Sequence, residues 1–380
     1  MKITARTLSG QICEVQVEGP AFKKIAPIRD NILDLPWIAP GLVDIQINGF
    51  GGIDFNRQLP SEEAWQHATQ QLYAHGCTGF LIALITNRAE GYRELFTGLT
   101  GQINRDARNC LGFHMEGPWL NPDPGYRGAH RADWMGKPDL KMLENWRAIA
   151  GRLLKLITLA PELDIEASLP LIRAAVIQEI CIFLGHSGAM GETLRAAVEA
   201  GAVGWTHLGN AVPATVPKFE NVILHMLAQS GLYASLIPDG LHLPPHAFKV
   251  FAQLLHQADP SRLLLTTDAM AGAAADRSGS YTLGDVQVEL GDDGSARLPG
   301  SGRLAGSTLT PFQGVFLAER MAGLFLEEAW EAFSTRPAGL LNLKHGLVEG
   351  NSADFCLLAP EKTPSLLATY HRGKCVYDAH

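Results

Sequence analysis

The sequence predicts an α/β fold, a (β/α)8 TIM-like barrel with a small β-domain built from both termini. Three observations predict it. From residue 41 onward, apolar, strand-like runs alternate with amphipathic, helix-patterned stretches. The runs are continuously apolar, which is typical of parallel strands that are covered by helices. There are eight such runs, the number that closes a (β/α)8 barrel.

The elements follow in a regular order along the chain. Residues 1–39 consist of short strand-like segments interrupted by prolines. Among the amphipathic stretches at 61–76, 191–201 and 245–258, the first is the best marked: Ser61 is placed to cap its N-terminus, two acids follow and Gly76 ends it. The predicted barrel strands are residues 41–47, 78–86, 110–116, 153–161, 180–187, 203–208, 232–240 and 261–268.

Two segments lie outside this alternation. Residues 278–300 form a polar, hairpin-like insert with an Asp-Asp-Gly turn. The C-terminal tail returns to strand-like sequence, so we expect it to pair with the N-terminal strands. The sequence therefore predicts a small β-domain of residues 1–40 and 348–380, and a barrel of residues 41–347.

Composition narrows the class of protein. The chain has 380 residues, 46% hydrophobic and 18% charged, which is typical of a globular protein. The net charge of −8 and the absence of Lys/Arg runs argue against a nucleic-acid or anionic-membrane partner. The longest apolar stretch, 80–85, is too short to span a bilayer. Without a signal-like start or a C-x-x-C pair among six cysteines, we expect reduced thiols and a cytoplasmic location.

Polar side chains collect where the predicted strands end, which is where barrel enzymes place their chemistry. A buried charge is costly unless it is paired or bound to a metal. One carboxylate and two imidazoles at one barrel mouth would hold Zn²⁺ and leave a position open for water, and a separate carboxylate could take a proton from that water. These polar residues are Asp44, Gln46, Asn48, His114, Glu116, Glu162, His186, His207, Asp239, His242 and Asp268.

Nine motifs carry a family resemblance, in family order, over roughly residues 39–357. They are "APGLVDIQINGFGG", "GFHMEGPWL…GYRGAH", "LAPE", "GHSGA", "THLGNAVP", "DGLH", "LTTDAM", "LAGSTLT" and "TRPAGLL…GLVEGNSADF". Together they resemble the N-acetylglucosamine-6-phosphate deacetylases of the amidohydrolase superfamily.

The resemblance implies a metal-dependent hydrolase that removes the acetyl group from an N-acetyl amino sugar phosphate, its small-molecule substrate. It implies a metal held by Glu116, His186 and His207, with Asp268 as general base and then general acid. It also implies a homodimer. The residues expected to line the sugar pocket are Ala129, His130, Asn210, Ala211, Asp239, Gly240, His242, Leu304, Ala305 and Gly306.

Two departures from the family pattern refine this picture. Gln46 and Asn48 stand where many amidohydrolases have the His-x-His of a second metal, and amides are poor transition-metal ligands. We therefore expect one divalent ion, Zn²⁺ first, with Fe²⁺ or Co²⁺ also permitted. The family's phosphate-binding arginine after the Asn-Ala pair is absent, and Lys218 is nearest that place. Lysine can hold a phosphate only as a point charge.

Each singled-out residue also has an ordinary structural interpretation. Glu116 and Asp268 could cap helices, and single histidines are usually satisfied core residues. His114 is interpreted as structural, and the role of Glu162 is left open. Two alternative functions remain: an amidohydrolase for another N-acyl compound, such as N-acetylgalactosamine 6-phosphate or an unphosphorylated one, and a catalytically silent sugar-binding regulator.

Overall fold

The computed structural model describes residues 1–29, 32, 34–229, 231–276 and 281–379. In chain order the strands are β1 (Lys2–Thr7), β2 (Ile12–Glu18), β3 (Ala21–Pro27), β4 (Trp37–Pro40), β5 (Leu42–Ile47), β6 (Gly49–Phe50), β7 (Ile53–Asp54), β8 (Cys77–Ile85), β9 (Cys110–Glu116), β10 (Leu154–Leu159), β11 (Cys181–Leu184), β12 (Gly204–Trp205), β13 (Tyr233–Leu236), β14 (Leu263–Leu265), β15 (Tyr281–Leu283), β16 (Val286–Leu290), β17 (Ser295–Arg297), β18 (Leu304–Ser307), β19 (Phe355–Leu358), β20 (Leu366–His371) and β21 (Lys374–Asp378).

The α-helices are α1 (Glu62–Tyr73), α2 (Ala89–Arg105), α3 (Leu140–Ala150), α4 (Ile165–Ile177), α5 (Gly191–Ala200), α6 (Val222–Ala228), α7 (Pro245–Ala258), α8 (Pro311–Ala322), α9 (Leu326–Ala332) and α10 (Thr335–Leu340). The three helices predicted from amphipathic patterning are α1, α5 and α7. Ser61 caps α1 by accepting a hydrogen bond from the backbone N–H of Ala64 at 3.2 Å, as predicted. None of the described helices is long and apolar enough to cross a membrane.

Eight parallel strands of the described chain form the barrel, in the order β14-β13-β12-β11-β10-β9-β8-β5. An isolated bridge pairs Ile47, the last residue of β5, with Ala269, beyond the end of β14, and nearly closes the ring. Ile45, Leu81, Leu156, Phe183 and Leu264 come from five of these strands and form one buried cluster of at most 1% exposure. The predicted barrel is confirmed, and its packed centre leaves the chemistry to the carboxyl ends of the strands.

The small β-domain is a seven-stranded sheet with the order β21-β20-β19-β4-β1-β2-β3. Strand β19 lies antiparallel to β4, with Phe355 opposite Pro40, so the two ends of the chain meet inside one sheet. This confirms a β-domain made from both termini. The domain boundaries at residues 40/41 and 347/348 stay a prediction.

A third sheet has the order β15-β16-β17-β18; its first three strands lie in the predicted insert of residues 278–300, and β18 lies beyond it. Residues 278–280, which the insert was expected to include, lie outside the described residues. The sheet is attached to the barrel mouth because Asp54 accepts hydrogen bonds from Thr282 Oγ1 and the backbone N–H of Gly284, both at 2.8 Å. The last strand of this sheet reaches the barrel at Ser307, which forms a bridge with Ala269.

Several barrel strands end earlier than the sequence predicts. Strands β11, β12 and β14 stop at Leu184, Trp205 and Leu265, before the polar residues that were expected to terminate them. The backbone of those polar residues is left-handed, with φ of 51° at His186, 33° at His207 and 51° at Asp268. Non-glycine residues rarely adopt this conformation, and it concentrates at functional sites.

Candidate active site

Glu116 is the last residue of β9 and lies at the centre of a cluster of imidazoles. Its side chain is buried, and its Oε1 is 2.8 Å from His207 Nε2 and 3.2 Å from His186 Nε2. His130 Nε2 lies 3.6 Å from the other oxygen, Oε2. The four side chains come from the loops and ends of neighbouring strands, so the carboxylate at the end of the apolar strand β9 is surrounded by imidazoles.

The tautomer of His186 follows from its other ring nitrogen. His186 Nδ1 lies 2.8 Å from the backbone oxygen of Tyr126, and a carbonyl oxygen only accepts, so Nδ1 carries the proton. In the neutral ring Nε2 then presents a lone pair to Glu116 Oε1. Two acceptors 3.2 Å apart repel each other unless a cation lies between them. This donor set therefore fits a divalent metal ion.

His130 has the opposite tautomer. The backbone N–H of Thr86 donates to His130 Nδ1 at 3.3 Å, so Nδ1 is the acceptor and the ring proton is on Nε2. That nitrogen faces Glu116 as a donor and has no free lone pair for a metal. Among the described residues, Glu116, His130 and His186 form a compact set of potential ligands, with ligand atoms within 4.8 Å of one another. The tautomer of His130 nevertheless argues against it as a ligand, and His207 Nε2 lies 2.8 Å from Glu116 Oε1, so we favour the set Glu116, His186 and His207.

Burial and mutual hydrogen bonding set the protonation of this cluster. Burial opposes ionisation of Glu116, but the three neighbouring imidazoles outweigh it and hold the pKa of Glu116 well below its usual range. Burial, reinforced by nearby His130, lowers the pKa of His186 to about 4. For His207 burial acts in the same direction, but the hydrogen bond to Glu116 prevails and raises the pKa. The carboxylate is therefore ionised at neutral pH.

Asp268 lies beyond the end of β14 and is hydrogen-bonded to two amide side chains from β5 and the residue that follows it. Its Oδ1 accepts hydrogen bonds from Asn48 Nδ2 at 2.7 Å and Gln46 Nε2 at 2.9 Å. Gln46 Nε2 also lies 3.1 Å from Glu116 Oε1, so one amide bridges both carboxylates. Burial and the charge of Glu116 raise the pKa of Asp268 to about 6.

The amides that replace the His-x-His pair have a structural task that the sequence did not reveal. Both amides donate hydrogen bonds to Asp268 Oδ1, so this carboxylate oxygen faces N–H donors and not a second cation. Asp44, on the same strand β5, accepts from the Thr266 and Thr267 hydroxyls at 2.5 and 2.6 Å and ties β5 to the segment leading to Asp268.

Two residues of uncertain role have clear structural tasks. His114 Nδ1 lies 3.0 Å from the oxygen of Ile45 and Nε2 lies 2.7 Å from Thr158 Oγ1, so the ring links three barrel strands. Glu162 accepts from the backbone N–H of Gly188 at 2.6 Å and from Ser187 Oγ at 2.7 Å. Glu162 therefore fixes the loop that follows His186.

These groups open into a cavity of about 440 Å³. Of the residues predicted for the site, Glu116, Ala129, His130, His186, His207, Asn210, Ala211, His242, Asp268, Leu304 and Gly306 line it. Asp239, Gly240, Ala305 and Lys218 are not among the described residues of its wall. Asp239 lies directly behind the wall, with Oδ2 2.6 Å from His242 Nδ1.

Lys218, the cation predicted to bind the phosphate, is not part of the described wall of this cavity. Its Nζ lies 5.1 Å from the ring centroid of Phe219, which is 72% exposed. Two cations that the sequence analysis did not single out, Arg297 and Arg303, line the cavity instead. The position of Arg303, immediately before Leu304, is the one sequence signal that could have found it.

Comparison with known proteins gives a consistent result. The Amidohydrolase family model matches residues 37–377. The N-acetylglucosamine-6-phosphate deacetylase of Bos taurus is 32% identical over 354 residues, covering 90% of this chain and 83% of that protein. The N-acetylgalactosamine-6-phosphate deacetylase of Shewanella sp. is 30% identical, covering 90% and 84%. The solved structure of a mutant N-acetyl-D-glucosamine-6-phosphate deacetylase from Mycobacterium smegmatis, in complex with N-acetyl-D-glucosamine-6-phosphate, is 27% identical, with a TM-score of 0.87 and coverage of 96% and 94%.

Proposed function

The chain belongs to the amidohydrolase family and, within it, to the N-acetylglucosamine-6-phosphate deacetylases, and from this we propose that it hydrolyses the acetamide of an N-acetyl amino sugar phosphate. The substrate proposed first is N-acetylglucosamine 6-phosphate, and the products are the amino sugar phosphate and acetate. One observation carries the proposal: a buried carboxylate shared by His186 and His207 faces Asp268 across a single bridging amide.

We propose that Glu116, His186 and His207 hold one divalent ion, with Zn²⁺ first and Fe²⁺ or Co²⁺ permitted by ligand type. When bound, the ion would polarise the acetyl carbonyl and lower the pKa of a water molecule at the site. Gln46 and Asn48 present amide N–H donors to Asp268 Oδ1, where a second ion would need ligands, which supports one ion rather than two.

Asp268 is proposed as the group that moves protons. Both amides bind its Oδ1, and no residue in the described part of the chain hydrogen-bonds its Oδ2. Oδ2 is therefore free to accept the proton of the attacking water and then to deliver it to the nitrogen of the leaving amine. Positioned acid–base groups of this kind act in both directions without net gain or loss of a proton by the enzyme.

The sugar is proposed to bind along the wall of the cavity. The Nε2 proton of His130 is directed inward, and Asp239 holds His242 in place from behind the wall. The proposed substrate-binding residues are Ala129, His130, Asn210, Ala211, Lys218, Asp239, Gly240, His242, Leu304, Ala305 and Gly306. Lys218 lies apart from this cavity in the single chain. We also propose a cytoplasmic homodimer, in keeping with the free state of all six cysteines.

N-acetylgalactosamine 6-phosphate is the second candidate substrate, because a relative at 30% identity is named for that sugar. The two differ only in the configuration of one hydroxyl group. A panel assay tests the whole proposal: metal content is measured first, then acetate release from both phosphorylated sugars, both unphosphorylated sugars and an N-acetyl amino acid. We expect fastest release from a phosphorylated sugar. Metal-loaded protein that binds a sugar phosphate and releases no acetate would instead be the silent regulator.

A further inference from the structure

The active-site cavity has carboxylates at its buried end and arginines in a less buried part of its wall. Glu116 and Asp268 are 3% and 8% exposed and form its closed end. Arg297 and Arg303 are less buried and reach it from the third sheet, on strand β17 and just before β18. The cavity is therefore acidic where the amide would react and basic at its rim, in a chain whose net charge is −8.

The guanidinium group of Arg297 already donates hydrogen bonds to neighbouring residues. Its Nη1 donates to the backbone oxygen of Gly302 at 2.7 Å and its Nε donates to Ser295 Oγ at 3.0 Å. Asp293 lies 3.9 Å from its Nη2 and offsets part of its charge. Arg297 thus braces the turn between β17 and β18 and has few donors left for a ligand.

The guanidinium group of Arg303, unlike that of Arg297, has no hydrogen-bond or ion-pair partner among the described residues. Its backbone is fixed, because its oxygen accepts from Leu298 N–H at 2.9 Å and its own N–H donates to Ser301 Oγ at 3.3 Å. Within the described ranges of the chain its side chain makes no hydrogen bond or ion pair. An arginine with a fixed backbone and five free side-chain donors is suited to bind a phosphate through two parallel hydrogen bonds.

We propose that Arg303 binds the phosphate group of the substrate, in place of the lysine that the sequence suggested. The proposal rests on the proposed deacetylase function. In an N-acetyl amino sugar 6-phosphate the acetamide and the phosphate project from opposite sides of the ring. With the acetamide at Glu116 and Asp268, the phosphate would lie away from these two carboxylates, and Arg303 is the arginine of the described cavity wall whose side chain is unpaired. Arg303 would thereby set the preference for phosphorylated sugars.

Steady-state kinetics on N-acetylglucosamine with and without the 6-phosphate test this. Arg303→Ala should raise KM for the phosphorylated sugar about ten- to a hundredfold, leaving its kcat and both constants for the unphosphorylated sugar nearly unchanged. Arg303→Lys should raise that KM less, because it keeps the charge and loses the fork. Arg173→Ala, an exposed arginine on α4, is the matched control and should change nothing.

Lys218→Ala is run in parallel as the competing assignment. A phosphate-specific rise in KM in Lys218→Ala and none in Arg303→Ala overturns the proposal, whereas a rise in Arg303→Ala supports it whatever Lys218 contributes. Calorimetric binding of glucosamine 6-phosphate and of glucosamine gives a readout without chemistry. If the wild type releases no acetate, the proposed function fails. Arg303 is then judged by binding alone: a tenfold weaker affinity of Arg303→Ala for glucosamine 6-phosphate supports it, and unchanged or absent binding refutes it.

Discussion

Asn48 donates a hydrogen bond from Nδ2 to Oδ1 of Asp268 across 2.7 Å, although the two residues are 220 positions apart in the chain. Gln46 also donates to Oδ1, so within the described chain Oδ2 is the oxygen of Asp268 that remains free to face a substrate. The amides of β5 therefore determine which oxygen of Asp268 does the chemistry, and this relationship makes both residues testable.

Replacing Asp268 by asparagine removes the proton-accepting oxygen and keeps the side-chain shape. We expect Asp268→Asn to fold and to bind metal but to lose acetate release by a factor of about 10² to 10⁴, the usual contribution of a positioned acid–base group. The measurement is kcat, with metal content and melting temperature determined on the same sample. Asp292→Asn, an exposed acid in the insert, is the control. Near wild-type kcat in Asp268→Asn would refute the assignment.

Asn48→Ala should lower kcat about tenfold or more, since a hydrogen bond to a charged group contributes roughly 1.5–3 kcal/mol. Because Asn48 orients Asp268 and does not ligate the metal, metal content and KM should stay near wild type. An equal loss of bound metal would show that Asn48 acts on the metal site instead.

Comparing His207 with His130 distinguishes a proposed metal ligand from a neighbouring histidine that is not expected to bind the metal. Glu116→Ala and His207→Ala should lose the ion, because two protein ligands are too few to hold it, whereas His130→Ala should keep it because its Nε2 carries a proton. Elemental analysis should find one ion per chain in the wild type. Retention of metal by His207→Ala together with its loss from His130→Ala would favour the compact set of Glu116, His130 and His186.

Asp44 should make stability depend on pH. Burial raises its pKa to about 6, above the value near 3.9 of an unfolded aspartate, so the folded state binds the proton more tightly. This contribution is fully present below about pH 4 and is lost as the pH rises through 6, and two pKa units correspond to about 3 kcal/mol. The free energy of unfolding of Asp44→Asn, measured by urea at pH 4 and 7, should lack this component of the pH dependence.

Glu162→Gln tests whether the loop after β11 positions His186. The new amide would place a donor against groups that already donate, Ser187 and the backbone of Gly188. We expect a loss of about 1–3 kcal/mol in stability and weaker metal binding. Glu144→Gln, on the outside of α3, should change neither. Unaltered metal affinity in Glu162→Gln would leave Glu162 as a purely structural residue.

The barrel could be predicted because its signal is local. Each strand is an apolar run whose character is decided within a few residues, as in β9. The geometry of the site could be predicted only in outline, because its parts are joined by contacts between distant residues. Gln46 and Glu116 are 70 positions apart, and no local pattern shows that an amide will bridge two carboxylates.

The turns at the strand ends escaped prediction for a different reason. His186, His207 and Asp268 adopt left-handed backbone conformations, which remain uncommon even for His and Asp. Tertiary contacts impose these conformations, so propensity argues for longer strands than the structure has. Arg303 was missed because only its position directly before Leu304 indicates the wall it joins, and that position says nothing about where its side chain lies.

The seven-stranded sheet also bears on how the protein is made. Strand β4 leaves the ribosome early, yet its partner β19 begins at Phe355 and is synthesised more than 300 residues later. Throughout that interval one side of β4 presents unpaired backbone groups, the kind of open edge on which nascent chains misassociate. Truncated chains ending before Phe355 should therefore be the species that chaperones retain, and release from them should coincide with completion of the last three strands.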